Sequence, residues 1–445
     1  MSAPPVHPVD QRLPAPQLFV YGLQHVLAMY AGAVAVPLII GGALGLSHEQ
    51  LIYLINADLF TCGIATLIQT IGIWKVGCRL PIVQGCTFAA VAPMILIGKS
   101  HGVTAIYGAV IVAGALTFFV SPYFSRLLRF FPPLVTGTII TIIGVSLLPV
   151  AVRWSGGGLP TAPKFGSPHI VGLAAAVLTI VVAIYRLLTG YWARLAVLLG
   201  LVCGTLLAVP LGMTDFSGVS RASWVGLTTP FHFGWPSLNL ASVASMTLVM
   251  LVVMTETTGD IVAVGEIVDR PITPETLTAG LRADGLSTLL GGVFNAFPYT
   301  AYAQNVGLVA LTGVKSRYVV ASAGVILMLL GLLPKLAAIV AAIPTPVLGG
   351  AGLVMFGSVA ASGIKTLSRL DFEDNYNALV IAVSLALGLI PIAVPGFYAK
   401  FPDWVRIVGE SGITMGSLSA IVLNAALNEL RRKAPKPASR PAVSV

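Results

Sequence analysis

Pro298-Tyr299-Thr300-Ala301-Tyr302-Ala303-Gln304-Asn305 leads straight into Val306-Gly307-Leu308-Val309-Ala310-Leu311-Thr312-Gly313. Two adjacent amide side chains and a glycine interrupt sequence that is otherwise apolar enough to lie in a bilayer. A primary amide in hydrocarbon is costly without a partner, so the pair marks either a polar ligand site or a polar packing contact. The start of the stretch reads as a short extended piece, and its remainder reads as a half-length helix. Pro81-Ile82-Val83-Gln84-Gly85-Cys86-Thr87-Phe88 has the same form, with Thr87 as a polar N-cap before a helical run. Two such pieces can pair with each other, which leaves neither backbone bare in lipid. The two helix N-termini would then present partial positive charge and free N–H groups to a central cavity.

The remainder of the chain supplies the membrane. Of its 445 residues 56% are hydrophobic and 9% charged, and mean hydropathy is +0.93. A soluble domain carries roughly a quarter charged residues. Apolar segments fall near 18–44, 50–73, 81–98, 102–121, 133–151, 169–188, 193–212, 240–265, 275–293, 300–313, 317–342, 346–363, 376–397 and 412–429. Most have the length of about 20 residues that a ~30 Å hydrocarbon core requires. The first run exceeds the apolar core of a signal peptide and lacks a small-residue cleavage site, so it reads as a retained helix. The proline-rich tails, 1–16 and 431–445, are expected to be disordered.

A formal charge of +9 suggests nucleic acid until its distribution is considered. If both termini are cytoplasmic, that side collects seventeen Lys and Arg residues and the other side seven, with Arg282 inside segment nine completing the 25. This asymmetry is a topology signal and argues against nucleic acid as a partner. Cys62, Cys78, Cys86 and Cys203 are scattered and form no C-x-x-C or Cys/His spacing, so no metal or disulfide is expected. The absence of a phosphate-binding loop argues against an ATP-driven pump within this chain, and no nucleophile–base arrangement suggests an enzyme. No cofactor is expected.

Pro133, Gly137 and Gly144 in segment five recur as Pro346, Gly350 and Gly357 in segment twelve. The segments then divide as seven plus seven: a first repeat over 17–212, a connection over 213–238, and a second repeat over 239–430. Seven crossings per copy force the second copy to enter the membrane the opposite way, the inverted arrangement of secondary transporters. Four acids lie within apolar segments: Asp58, Glu256, Asp260 and Asp284. Each costs at least ~2.5 kcal/mol at mid-membrane on insertion scales, so a job is the default reading. Glu256 and Asp260, one helical turn apart, share a face and can share a proton. Asp284 either serves function or pairs with Arg282, although a spacing of two places them on different faces. Asp58 has no polar company nearby in sequence and reads as structural. His25, in the first helix, occupies the place in its repeat that Glu256 occupies in the other.

Gln304-Asn305-Val306-Gly307, four further residues, then Thr312-Gly313 resembles the signature of the nucleobase–ascorbate transporter family. The likeness extends to Gln24-His25, Thr87-Phe88, Glu256-Thr257-Thr258-Gly259-Asp260 and Ala283-Asp284-Gly285, and covers nearly the whole chain. It implies an all-α polytopic membrane protein of fourteen segments in two inverted repeats, with core and gate domains, short β pieces in segments three and ten, and a homodimer. Bacterial members are mostly proton symporters of the cell membrane that import uracil, xanthine or urate. By position, Glu256 would accept ring N–H groups of a purine, Gln304 would bond its pyrimidine part, and Phe88 would offer backbone N–H and a stacking face beside Thr87 and Ala303. Asn305 would brace the site, while Asp284, Asp260 and His25 would belong to its proton-linked surroundings. Xanthine-specific members resemble Gln-Asn-Asn in the motif and carry Asn in segment three. Val306 and Thr87 stand there in this chain; the shorter Thr87 hydroxyl would leave room for the extra oxygen of urate, and the combination resembles the urate branch. The expected order is urate, then xanthine, then uracil or another nucleobase. An inorganic-anion transporter of the same fold is the alternative.

Overall fold

The computed structural model describes residues 6–124, 132–158, 160–372 and 376–429, without the side chains of Tyr191, Arg194, Gln304, Leu311, Asp403, Trp404, Ile407 and Glu429. Its principal helices in the first half are α1 (Ala15–Leu44), α2 (His48–Ile71), α3 (Val91–His101), α4 (Val103–Val120), α5 (Pro133–Ser155), α6 (Pro168–Leu187) and α7 (Ala196–Ala208). In the second half they are α8 (Leu240–Ile267), α9 (Pro274–Val293), α10 (Ala303–Thr312), α11 (Arg317–Gly331), α12 (Thr345–Leu367), α13 (Asn377–Ala393) and α14 (Gly412–Asn424). Among the described residues seven of these are long and apolar enough to cross a membrane: α1, α2, α4, α5, α6, α8 and α12. An eighth arises if α11 and the short helix Pro334–Ala341, bent from it by 82°, count as one span. The molecule is therefore a mostly helical membrane protein.

Helix boundaries follow local chemistry. Gly45 ends α1 in the left-handed region at φ 65°, where glycine carries no Cβ penalty. Two residues later Ser47 opens α2 with a reciprocal capping box to Gln50. Thr87 accepts the N–H of Ala89 at 3.2 Å and so starts the 3-10 turn Phe88–Ala90 that leads into α3.

Between these helices lie the two interruptions read from the sequence. Strand β1 (Gln84–Cys86) pairs antiparallel with β2 (Tyr299–Ala301), Gly85 facing Thr300. The pairing continues outward as Thr87 N–H donates to Pro298 and Tyr302 N–H donates to Val83. Glycine is needed at 85, since a Cβ there would lie 2.6 Å from the Tyr302 ring.

Helices from the two halves of the chain pack antiparallel at small residues, which let backbones approach closely without a hydrophobic drive between them. Along α5 and α12, Gly137 meets Leu367 and the Gly363 carbonyl, Gly144 meets Ala360, and Gly349 meets Ser155. Along α2 and α11, Gly63 meets Gly324 and Gly331 meets Phe60. The counterpart pair is α4 and α9, where Gly114 meets Leu289 and Gly292 meets Ile111. Helices α6 and α7 pack with α12, and α13 and α14 pack with α5.

Within the tail expected to be disordered, Pro8–Asp10 forms a 3-10 turn. Val9 is fully buried among side chains that include Ile261, Val306 and Val309. Asp10 bridges Arg270 at 3.2 Å and Arg317 at 2.7 Å, so the start of the chain is anchored by burial and charge together. The basic tail 431–445 lies outside the described residues. In the 213–238 connection, the Tyr53 hydroxyl donates to the Thr229 carbonyl at 2.7 Å, and its ring stacks on His232 at 3.7 Å.

Candidate functional site

A cavity of about 680 Å³ opens beside the strand pair, within the range of small-molecule sites. Met29 and Gly32 of α1 form part of its wall, with Cys86, Thr87 and Phe88 from β1 and the turn after it. Thr300, Tyr302 and Ala303 contribute from β2 and the start of α10, and Glu256, Gly259 and Asp260 from α8. Across the cavity stand Thr136 of α5 and Ser358, Ser362 and Thr366 of α12.

Among the sequence-derived candidates, Glu256, Asp260, Thr87, Phe88 and Ala303 all line this space. Glu256 and Asp260 lie one turn apart on α8, and no hydrogen bond occupies the Glu256 carboxyl among the described residues. Phe88 is held edge-on by Phe356 of α12, the ring centroids 5.8 Å apart, which limits its rotation beside the cavity. The first turns of α10 and of the Phe88 turn begin on the cavity wall. Helix starts leave N–H groups unpaired and carry partial positive charge, so they suit carbonyl oxygens. Gln304 belongs to the first turn of α10, and its side chain lies outside the described residues.

Three candidates stand behind the wall instead. The Asn305 amide donates to the His25 backbone carbonyl at 2.9 Å and lies 3.1 Å from its Nδ1. Both side chains are buried, so this contact ties α10 to α1. Asp284, fully buried on α9, accepts the side-chain N–H of Gln84 at 2.7 Å. Its alternative partner is engaged elsewhere: the Arg282 guanidinium sits over the Phe118 ring at 5.7 Å. Thr257 accepts the Ala301 N–H at 3.2 Å and lies 3.3 Å from the Thr300 hydroxyl, which ties β2 to α8.

Asp58, read as structural, has polar company in the fold that its own segment lacks. Polar company comes from a distant segment: the Tyr299 hydroxyl donates to its Oδ1 at 3.0 Å, and the Cys62 thiol lies 3.7 Å from the same oxygen. A residue 241 positions away supplies the partner, which no local pattern can reveal. Sequence reading also missed Gln84, Tyr302 and the α12 hydroxyls. Tyr302 donates to the Cys86 carbonyl at 2.9 Å. Ser358, Ser362 and Thr366 fall at four-residue spacing on one helix face, a pattern that was legible and went unused.

The profile of the Permease family matches residues 16–397. The chain is 47% identical over 428 residues to the "Uric acid transporter UacT" of Escherichia coli (strain K12), covering 95% of this chain and 89% of that one. It is 47% identical over 407 residues to the "Xanthine permease" of Bacillus subtilis (strain 168), covering 92% and 93% respectively. A solved structure, "The transmembrane domain of a cyanobacterium bicarbonate transporter BicA", superposes with a TM-score of 0.60 at 14% identity, over 93% of this chain and 100% of that one.

Proposed function

On the premise that this chain belongs to the Permease family, among the bacterial purine permeases of the nucleobase–ascorbate type, we propose that it is a proton-coupled symporter importing an oxidised purine, urate first and xanthine second. One observation carries the reading: the Glu256 carboxyl lines a cavity bounded by two interrupted membrane elements and the start of the Gln304-Asn305 helix. An oxidised purine alternates N–H donors with C=O acceptors. A carboxylate reads the donors, while an amide and helix-start N–H groups read the acceptors. In this scheme Glu256 accepts from ring nitrogens, Gln304 pairs with the pyrimidine edge, and Phe88 lends its face and backbone N–H beside Thr87 and Ala303. Asn305 and His25 hold α10 in place. Asp260 and Asp284 share in the proton's path.

The membrane arrangement that goes with this is fourteen crossings in two inverted repeats, 17–212 and 239–430, joined by 213–238, with both termini cytoplasmic in a bacterial inner membrane. The antiparallel packing of α5 against α12, whose Pro and Gly landmarks match, supports the inversion. Helices α1–α4 with α8–α11 would form the core domain, the remaining helices the gate, and two copies a homodimer. Movement of the gate hydroxyls past the core would expose the cavity to each side in turn.

BicA-like architecture hosts anion transport, but likeness at 14% identity speaks to fold alone. A carboxylate at the site opposes a small inorganic anion. The deciding experiment is uptake of labelled urate, xanthine and uracil into cells, with and without a proton uncoupler. Urate accumulation that collapses with uncoupler, and is competed by xanthine but not by sulfate, is the expected result. Competition by sulfate alone would overturn the reading, and a chemically altered solute inside the cell would point to an enzyme.

A further inference from the structure

Asp58 and Asp284 hold matching positions in the two halves. Asp58 on α2 reaches Tyr299 of β2, and Asp284 on α9 reaches Gln84 of β1. In the ladder Gln84 pairs with Ala301 and Cys86 with Tyr299, about a centre at Gly85 and Thr300. Gln84 and Tyr299 are therefore equivalent places, each the first residue of its strand. Each acid uses Oδ1 for the bond, and each keeps Oδ2 buried. The result is a crossed brace in which the second helix of each half grips the strand of the other half.

We infer that Asp58 is a positioning residue for transport: through the Tyr299 hydroxyl it sets the placement of β2, and hence of Thr300, Tyr302 and Ala303 on the cavity wall. This rests on the purine-transport reading for its kinetic consequence, while the brace itself does not. The grip is short-ranged. Tyr299 hydroxyl also donates to the Asp58 backbone carbonyl at 3.2 Å, and its N–H donates to Thr288 at 3.1 Å. One residue past β2, Tyr302 bonds the Cys86 carbonyl across the ladder. Loss of the Asp58 contact should therefore shift the wall facing the substrate and loosen the strand pair at Cys86, with the helices left assembled.

The test uses the full chain in membrane vesicles with Asp58→Ala, Asp58→Asn, Tyr299→Phe and the Asp58→Ala/Tyr299→Phe pair. Two readouts are taken: KM and maximal rate of urate uptake, and the rate at which a maleimide labels Cys86, followed by peptide mass spectrometry. Asp58→Ala and Tyr299→Phe should each raise KM roughly fivefold, the order expected for one buried hydrogen bond, with a smaller change in maximal rate; faster Cys86 labelling is read on Tyr299→Phe, which keeps the acid that itself bonds the Cys86 thiol. Asp58→Asn keeps an acceptor oxygen and should stay near the parent. The pair should be no worse than Tyr299→Phe alone, because that change already removes the side-chain contact together with the bond to the Asp58 backbone carbonyl. Parent-like KM in Asp58→Ala, parent-like labelling in Tyr299→Phe, or an Asn variant no better than Ala, would overturn the inference. Should Asp58→Ala fail to fold, Tyr299→Phe, which keeps the ring, decides on the same two readouts. A parent chain that takes up no purine would defeat the transport reading alone, and the labelling comparison would still decide the brace.

Discussion

Single side chains carry the substrate argument. Glu256→Gln keeps size and shape but removes the negative charge and replaces one acceptor with a donor, so urate uptake should fall to background while the protein still reaches the membrane. Uptake assays alongside membrane immunoblots would check this. Thr87 lines the cavity and uses its hydroxyl to cap the following turn. Asparagine can still cap that turn, but it fills more of the space, so Thr87→Asn should move preference from urate toward xanthine. Competition of each purine against the other gives the ranking, and an unchanged order would refute the role assigned to this position. Asn305→Ala strands the buried His25 ring nitrogen, while the His25 carbonyl keeps its bond within α1. An unsatisfied buried group costs about 1–3 kcal/mol, so the purified variant should melt earlier as well as transport poorly.

Elements set where those side chains can be. The strand pair and the two half-length helices were legible, because Pro-flanked pieces and adjacent amides are conspicuous in an apolar chain. What each strand leans on was not. Tyr299 with Asp58, and Gln84 with Asp284, are contacts over 241 and 200 positions, and hydrogen bonds of that reach leave no periodic trace. Glu256 and Asp260 were readable as one face, since helical spacing alone fixes it. Which acids face the cavity and which stand behind it required the fold. The α5–α12 contact yields its own prediction. A Cβ at Gly144 would lie 2.2 Å from the Ala360 backbone nitrogen, so Gly144→Val must part the two helices. Overpacking of this kind costs about 1–3 kcal/mol. A reduced monodisperse peak in fluorescence-detected size-exclusion chromatography is expected, whereas Gly42→Val, with open space around that position, should leave the peak intact.

For the whole molecule, the recurrence of Pro133, Gly137 and Gly144 as Pro346, Gly350 and Gly357 was the clearest long-range signal in the chain. Gly137, Gly144 and Gly350 of that set sit at close helix contacts, whereas Gly357 has open space around it. Fourteen apolar segments could be counted from hydropathy, yet only seven helices, or eight with the bent pair, meet a length-and-hydropathy criterion for crossing among the described residues. Broken and shortened helices next to the strands account for part of that gap. Placement of the charges predicts orientation: reporters fused at either end should register on the cytoplasmic side, and an external signal from either would invalidate the positive-inside assignment.

The clasp at Asp10 has a bearing on biosynthesis. Its partners Arg270 and Arg317 emerge from the ribosome some hundreds of residues after it, and so do Val306 and Val309 that enclose Val9. Cys78, Leu80 and Ile82 of the cluster around Val9 are made earlier, but until the second half of the chain has been inserted Asp10 lacks both of its arginines. Docking of the leading end is therefore among the last events of assembly, and protection of that end from an added protease would report that both halves of the polypeptide have come together.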